Sequence, residues 1–498
     1  MKPQPGTLID RLLLSAASVP MPKKWRNIFA DCRTARALLE SEGALHLWAG
    51  GDRARFSAPL NKPLILAIIH ALILFFGSLA IDLTRARKPQ NHGNSEQDAS
   101  VTDVLVYVGG INEMAAICPT IEAKSDLKFT LVTSNPEVFR SNDTSIRHVY
   151  AERAAASLSA IIFIATNANF LYQIATREAR GALWAFRLII RNIMMANELL
   201  RRYAPKILLV SNDHSAAQRC LIGVAHLTGV RTAYLQHASV STLFPKLDFD
   251  YAFLDGEKAL NIYAECSASP QSAICRRPVV FLSGQKKAVA PHDLRRTREI
   301  GLAINNLDPA GNICSLLSRL CAAGHIVTLR PHPQHDASSL ATILEHIETM
   351  GGGATLSNPQ TEMARDYVAR ARVVVAGNSS ILLEAALAGT PAIYYDMAGR
   401  IEYNDYYGYV RGGICLAAAS TDDLLDLLGN NIPVASPAAL RHYSETATTP
   451  WFGNEGYLVS KTLSLILRED DPGKLYSKTN DERHCFGSVY RLSAPTNG

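Results

Sequence analysis

The sequence predicts a doubly wound α/β fold in two domains whose parallel sheets face a cleft, with an N-terminal helical region at a membrane. Three observations predict it. Short apolar runs alternate with helical stretches of 10 to 15 residues from Val101 onward, the alternation restarts near Glu299, and a charge-free apolar run stands near the N-terminus. Strands separated by helices of that length pair in parallel and carry helices on both faces of the sheet.

Composition bounds the reading. The chain has 498 residues, 48% hydrophobic and 19% charged, enough apolar material for two or three buried cores. A net charge of +5 is mild for this length and does not point to nucleic acid; it suits anionic lipid or phosphorylated substrates. The nine cysteines are scattered, odd in number and never spaced CxxC. That argues against a zinc site or a disulfide framework and for a reducing compartment.

The first 60 or so residues show no secretory signal. Pro63–Ile81, PLILAIIHALILFFGSLAI, carries no charge over 19 residues and is just long enough to span a bilayer as a helix. A buried helix or a hairpin on the membrane surface would read the same way. Arg53, Arg55 and Lys62 balance Arg85, Arg87 and Lys88, so orientation stays open. Residues 88–100 are polar, with Pro, Gly, Asn and Ser, and read as a linker.

The elements follow in order. VLVYVGG ends a first strand in two glycines, KFTLVT is a second, residues 151–203 are helical, KILLVSNDHS is a third strand, Ser215–Thr228 a helix and RTAYLQHAS a fourth strand. Beyond Glu299, EIGLAI, HIVTLRPHP, ATLSNP, ARVVVAGNSS and PAIYYD read as strands separated by helices. The expected organisation is an N-terminal extension over 1–100, a Rossmann-like acceptor domain over 101–256, an interdomain linker over 257–297, and a Rossmann-like nucleotide-donor domain over 298–450. A closing helix over 451–471 and a polar, poorly ordered tail over 472–498 complete it.

Ligands of open parallel sheets sit outside the carboxyl ends of the strands, so the loops there carry the candidates. Gly377-Asn378-Ser379-Ser380 turns a strand into a helix. Free amides and two hydroxyls there suit a phosphate, and Glu384, one turn on, suits a ribose hydroxyl. An ordinary Asn/Ser helix cap would use the same residues. Arg330-Pro331-His332-Pro333 holds a cation and an imidazole on a loop stiffened by proline, fit to bind a diphosphate or to protonate a leaving phosphate. Gln236-His237-Ala238 and Ser211-Asn212-Asp213-His214 end two strands of the first domain. Each offers a general base for an acceptor hydroxyl, from His237, His214 or Asp213. Plain turn chemistry competes at every one of these loops. The run EYNDYYGYVRGG, residues 402–413, suits stacking on a base or sugar, or simple packing. Gly351–Gly353 reads as a turn. No metal cluster and no DxD at a strand end is evident, which fits metal-independent chemistry.

Together the loops resemble glycosyltransferase-B enzymes that build bacterial surface polysaccharides. Two branches are similar: the capsule and teichoic-acid polymerases, and the sialyl- and polysialyltransferases. The HP and SS motifs of the latter fall on His332-Pro333 and Ser379-Ser380, in the same order. Their acidic-acidic-glycine motif is met only by Leu254-Asp255-Gly256. The polymerase HG motif is met by His237, with Ala238 for glycine. The resemblance covers about residues 205–400. It implies transfer from a CMP-, CDP- or other nucleotide-activated sugar, bound as substrate with no further cofactor, to a glycan or lipid-linked glycan. The apolar stretch 63–81, together with a nucleotide donor and free cysteines, predicts work at the cytoplasmic face of the inner membrane. UDP-N-acetylglucosamine 2-epimerases are also similar in fold and in a GNSSS-like helix start, but Ile381 breaks that motif. A non-catalytic, membrane-tethered assembly protein on the same fold is the other alternative.

Overall fold

A computed structural model describes residues 23–44, 47, 80, 102–135, 138, 146–148, 150–178, 183–242, 244–266, 276–286, 297–333, 335–359, 361–399, 405–479 and 485–493. The apolar stretch 63–81, apart from Ala80, lies outside them. Among the described residues no helix is long and apolar enough to cross a membrane.

The first half runs α1 (Lys23–Glu42), β1 (Val104–Val108), α2 (Ile111–Glu122), β2 (Phe129–Thr133), β3 (Ile146–His148), α3 (Tyr150–Thr166), α4 (Ala168–Glu178), α5 (Leu183–Tyr203), β4 (Ile207–Val210), α6 (Ala216–Thr228), β5 (Arg231–Leu235), β6 (Tyr251–Leu254), α7 (Glu257–Glu265) and β7 (Val279–Leu282). The second runs β8 (Ile300–Ile304), α8 (Ala310–Ala322), β9 (Val327–Pro331), α9 (Ala337–Thr349), β10 (Ala354–Leu356), α10 (Ala364–Arg370), β11 (Val373–Ala376), α11 (Ile381–Leu387), β12 (Ala392–Tyr395), β13 (Leu416–Ala418), α12 (Thr421–Gly429) and α13 (Pro437–Tyr443). The chain then closes with α14 (Glu455–Arg468), β14 (Tyr476–Thr479) and β15 (Ser488–Leu492).

Two sheets result, ordered β14-β15-β7-β6-β5-β4-β1-β2-β3 and β10-β9-β8-β11-β12-β13. Every pairing is parallel except β14 with β15. Strands buried on both faces have apolar residues throughout, and β1 shows why. Leu105 and Tyr107 point into one core with α5 and α6, while Val104, Val106 and Val108 point into the other with α2 and α14. β11 divides likewise, Val374 and Ala376 to one side, Val373 and Val375 to the other.

Three expectations about organisation need correction. Residues 257–297 are not simply a linker: α7 lies there, and β7 pairs with β6 inside the first sheet. The described residues of 472–498 are not a loose tail, because β15 lies parallel to β7 and carries β14 as an edge. The polar look of YSKT and SVYRL is that of strands whose outer side chains stay wet. Nor is the N-terminal extension separate. Cys32, Ala35, Leu38 and Leu39 of α1 are buried in the first core, and Asp31 Oδ1 accepts from Arg201 Nη1 of α5 at 2.9 Å.

The chain therefore leaves the first sheet after β7 and returns through residues 444–455, and the two crossings touch. Gly284 has φ +75°, and a Cβ on it would stand 2.0 Å from Thr446 Oγ1. Gln285 N donates to Ser444 Oγ at 3.0 Å and Glu445 N to Asp255 O at 2.7 Å. Beyond the crossing, α14 packs on α2. A Cβ on Gly456 would lie 2.3 Å from the Pro119 carbonyl, so only glycine permits this approach.

Candidate functional site

Each sheet has one place where the strand order reverses, and crevices open at such switch points. In the first sheet it lies between β1 and β4, in the second between β8 and β11. The loops there are Gly109-Gly110 with Ser211–His214, and Asn305–Asp308 with Gly377–Ser380.

On the first side a buried carboxylate ties the loops together. Glu113, in the first turn of α2, accepts from Gly109 N at 2.8 Å, Asn212 Nδ2 at 3.0 Å and Gln218 Nε2 at 2.7 Å. Gln218 belongs to α6, whose N-cap Ser215 accepts from Gln218 N. Sequence reasoning missed Glu113. The signal was present: a glutamate early in a helix, four residues after a glycine turn, can reach back to loop amides.

The two candidate bases of this side are neighbours. His237 Nδ1 donates to the Ser211 carbonyl, so the loop after β5 is tied to the loop after β4. That contact places a proton on Nδ1, so in the neutral ring Nε2 is the accepting nitrogen. Asp213 is 4% exposed, and its Oδ1 lies 3.4 Å from His214 Nε2. The His214 ring meets Phe244 edge-on at 4.3 Å. Asp213 and His214 thus form a partly buried acid–imidazole pair beside His237.

Asp255 follows the neighbouring strand β6, and its amide donates to Gln236 Oε1 at 2.9 Å. It is bound to Lys286 Nζ at 3.2 Å, and the Lys286 side chain is fully buried. Burial holds this lysine below its ordinary pKa, against the pull of Asp255. Removing one partner of such a pair strands the other charge, at a cost of about 3–5 kcal/mol. Asp255 therefore braces the crossing between the sheets.

On the second side, His332 follows β9. Its amide donates to Ile304 O at 2.9 Å and its carbonyl accepts from His335 N at 2.8 Å, which fixes the main chain beside β8. Burial lowers the His332 pKa, and it lowers that of His335 as well. Arg330 is buried, donates to Ser357 Oγ at 2.7 Å and Glu362 O at 2.9 Å, and stands over the Tyr367 ring at 5.2 Å. These contacts fasten β9 to the segment before α10, which gives Arg330 a structural role beside any ligand contact.

The Ser379 and Ser380 hydroxyls make only long local contacts, Ser379 Oγ from Ile381 N and Ser380 Oγ to Glu384 Oε1, both at 3.4 Å. Asn378 Oδ1 accepts from Tyr406 N at 3.0 Å. Tyr406 OH in turn donates to Ser241 Oγ at 2.7 Å, and Tyr409 OH meets Ser239 Oγ at 2.5 Å. These contacts link the loop after β5, which bears His237 and is tied to Ser211, to Asn378 of the Gly377–Ser380 loop. His332 is bonded to Ile304 of β8, the strand beside β11.

No family model matches the sequence, and no curated protein matches it. Solved structures similar to this chain include a putative UDP-N-acetylglucosamine 2-epimerase from Listeria monocytogenes, at 13% identity and TM-score 0.47 over 75% of this chain and 98% of that one. A UDP-GlcNAc 2-epimerase from Neisseria meningitidis bound to UDP-GlcNAc is similar at 13% identity and TM-score 0.44, over 73% and 100%. MurG from Acinetobacter baumannii is similar at 9% identity and TM-score 0.38, over 73% and 99%.

Proposed function

We propose that this chain is a metal-independent enzyme of the glycosyltransferase-B type. In this reading it moves a sugar, or a polyol phosphate, from a CMP-, CDP- or other nucleotide-activated donor to a glycan or lipid-linked glycan of the cell surface. One observation supports this most: the loop after β5, which bears His237, meets the Gly377–Ser380 loop of the second sheet through the Ser241–Tyr406–Asn378 contacts.

In this reading the donor phosphate lies on the amides of residues 377–380 and on the Ser379 and Ser380 hydroxyls, with Glu384 beneath on a ribose hydroxyl. The helix α11 has seven residues, so its dipole adds little and the hydroxyls carry the contact. For a sugar donor, the acceptor O–H gives its proton to His237 Nε2 as its oxygen bonds the anomeric carbon. The bond from that carbon to the phosphate oxygen breaks, and the nucleotide leaves with the electron pair. His332 donates a hydrogen bond to the departing phosphate.

Charge-assisted hydrogen bonds are worth roughly 1.5–3 kcal/mol each. Ser379→Ala with Ser380→Ala should therefore weaken nucleotide binding at least about tenfold by calorimetry. Unchanged affinity would remove the phosphate from this loop.

We further place the enzyme at the cytoplasmic face of the inner membrane through residues 63–81. Because α1 is part of the first core, the informative variant deletes residues 63–81 alone. It should move the protein from the membrane to the soluble fraction, and wild type that is wholly soluble after gentle lysis would contradict the placement.

A further inference from the structure

The tyrosine-rich run 402–413 has no part in the chemistry above, yet its rings are placed with care. Tyr407 and Tyr409 stack at 5.4 Å, and Tyr409 packs on Tyr443 at 5.4 Å. Tyr409 is 2% exposed, and Tyr443 OH donates to Gly408 O at 2.5 Å. Asp405 holds the turn at φ +47°, accepting from Val410 N and Arg411 N at 3.0 Å each. Rings packed on one another in this way are not a stacking surface for a base.

Among the described residues of the run, the Tyr406 and Tyr409 hydroxyls are both met by serines of the other domain. Tyr406 is the pivotal member, because its two ends serve different loops. Its amide is held by Asn378 of the proposed donor loop, and its phenol by Ser241, four residues beyond His237. Ser241 is itself fixed, its carbonyl accepting from Phe244 N at 3.0 Å and Cys266 Sγ at 3.7 Å.

We propose that Tyr406 is a positioning residue that couples the two halves of the site, carrying the state of the Asn378–Ser380 loop to the loop that bears His237. The coupling path is short: a backbone amide, a rigid phenol and one hydroxyl. Two sites joined through a common element influence each other reciprocally. Nucleotide on the donor loop should therefore order the loop that bears His237, and loss of the phenol should cut that response. The effect on transfer rests on the proposed function; the contact itself does not.

Hydrogen exchange of the full-length protein, read by mass spectrometry over residues 237–242 and 377–384, separates the two. Removing one neutral hydrogen bond should speed local opening about fivefold. Tyr406→Phe without ligand should thus speed exchange at 237–242, across the cleft from the substitution. Ser241→Ala should do the same, and the double variant should add nothing further, since both remove one contact. With CMP, CDP and UDP tested in turn, wild type should gain protection at both segments, and Tyr406→Phe only at 377–384. Unchanged exchange at 237–242 in both single variants overturns the coupling. If no nucleotide protects 377–384 in wild type, the donor site fails while the unliganded comparison still decides the contact.

Discussion

Replacing His237 by alanine is expected to leave nucleotide affinity within about twofold of wild type and to lower transfer to acceptor by roughly a hundredfold or more, the usual scale for a lost general base. The split between binding and transfer follows from the placement. His237 belongs to the first sheet and is oriented by the Ser211 carbonyl, whereas the proposed nucleotide contacts all come from the second. The bond at Nδ1 orients the ring, so in its neutral form Nε2 is the nitrogen that can take a proton. The rival base is close at hand. If His237→Ala transfers normally while Asp213→Ala or His214→Ala does not, the proton goes to the Asp213–His214 pair. Comparing the three variants in one transfer assay, with calorimetry on each, decides between them.

His332→Ala is expected to lower turnover by about a hundredfold through lost electrostatic help at the leaving phosphate. The main chain that carries the ring is held on both sides, through the His332 amide on Ile304 O and the His332 carbonyl under His335 N. Burial keeps its pKa below the ordinary histidine value, so near pH 7 it acts as a neutral N–H donor in the unliganded site. Because the contact is made as charge develops on the phosphate, the loss should fall on kcat more than on KM. Full turnover in a normally folded His332→Ala enzyme would end this role.

Much of the central fold was legible because parallel strands buried on two faces leave uninterrupted apolar runs. β1, β4, β5, β9 and β11 stand where those runs are. What escaped was coded differently. β14 and β15 form a wet edge, so YSKT and SVYRL lack such a run. VVFL is strand-like, but it falls next to polar loops and was absorbed into an interdomain linker. α1 is separated from its core by residues 43–103, so nothing local shows that Leu38 packs beneath Gly223.

The site divides in the same way. Loop chemistry at strand ends was readable, since it depends on local order: strand, glycine, hydroxyls, helix. Long-range partners were not. Arg330 looked available because Ser357, Glu362 and Tyr367 come from other elements. Asp255 looked like a motif acid because Lys286 lies 31 residues away. The tyrosine run was ambiguous until Ser239 and Ser241 were seen opposite it.

The central claim is transfer from a nucleotide-activated donor. It is tested most directly by incubating the full-length protein with CMP-, CDP- and UDP-activated donors and following both free nucleotide and the fate of the sugar. The account predicts release of one nucleotide class, faster with a glycan acceptor present and slowed at least about tenfold in Ser379→Ala with Ser380→Ala at subsaturating donor. A product epimerised with its nucleotide still attached, or no release and no binding from any donor, would contradict it.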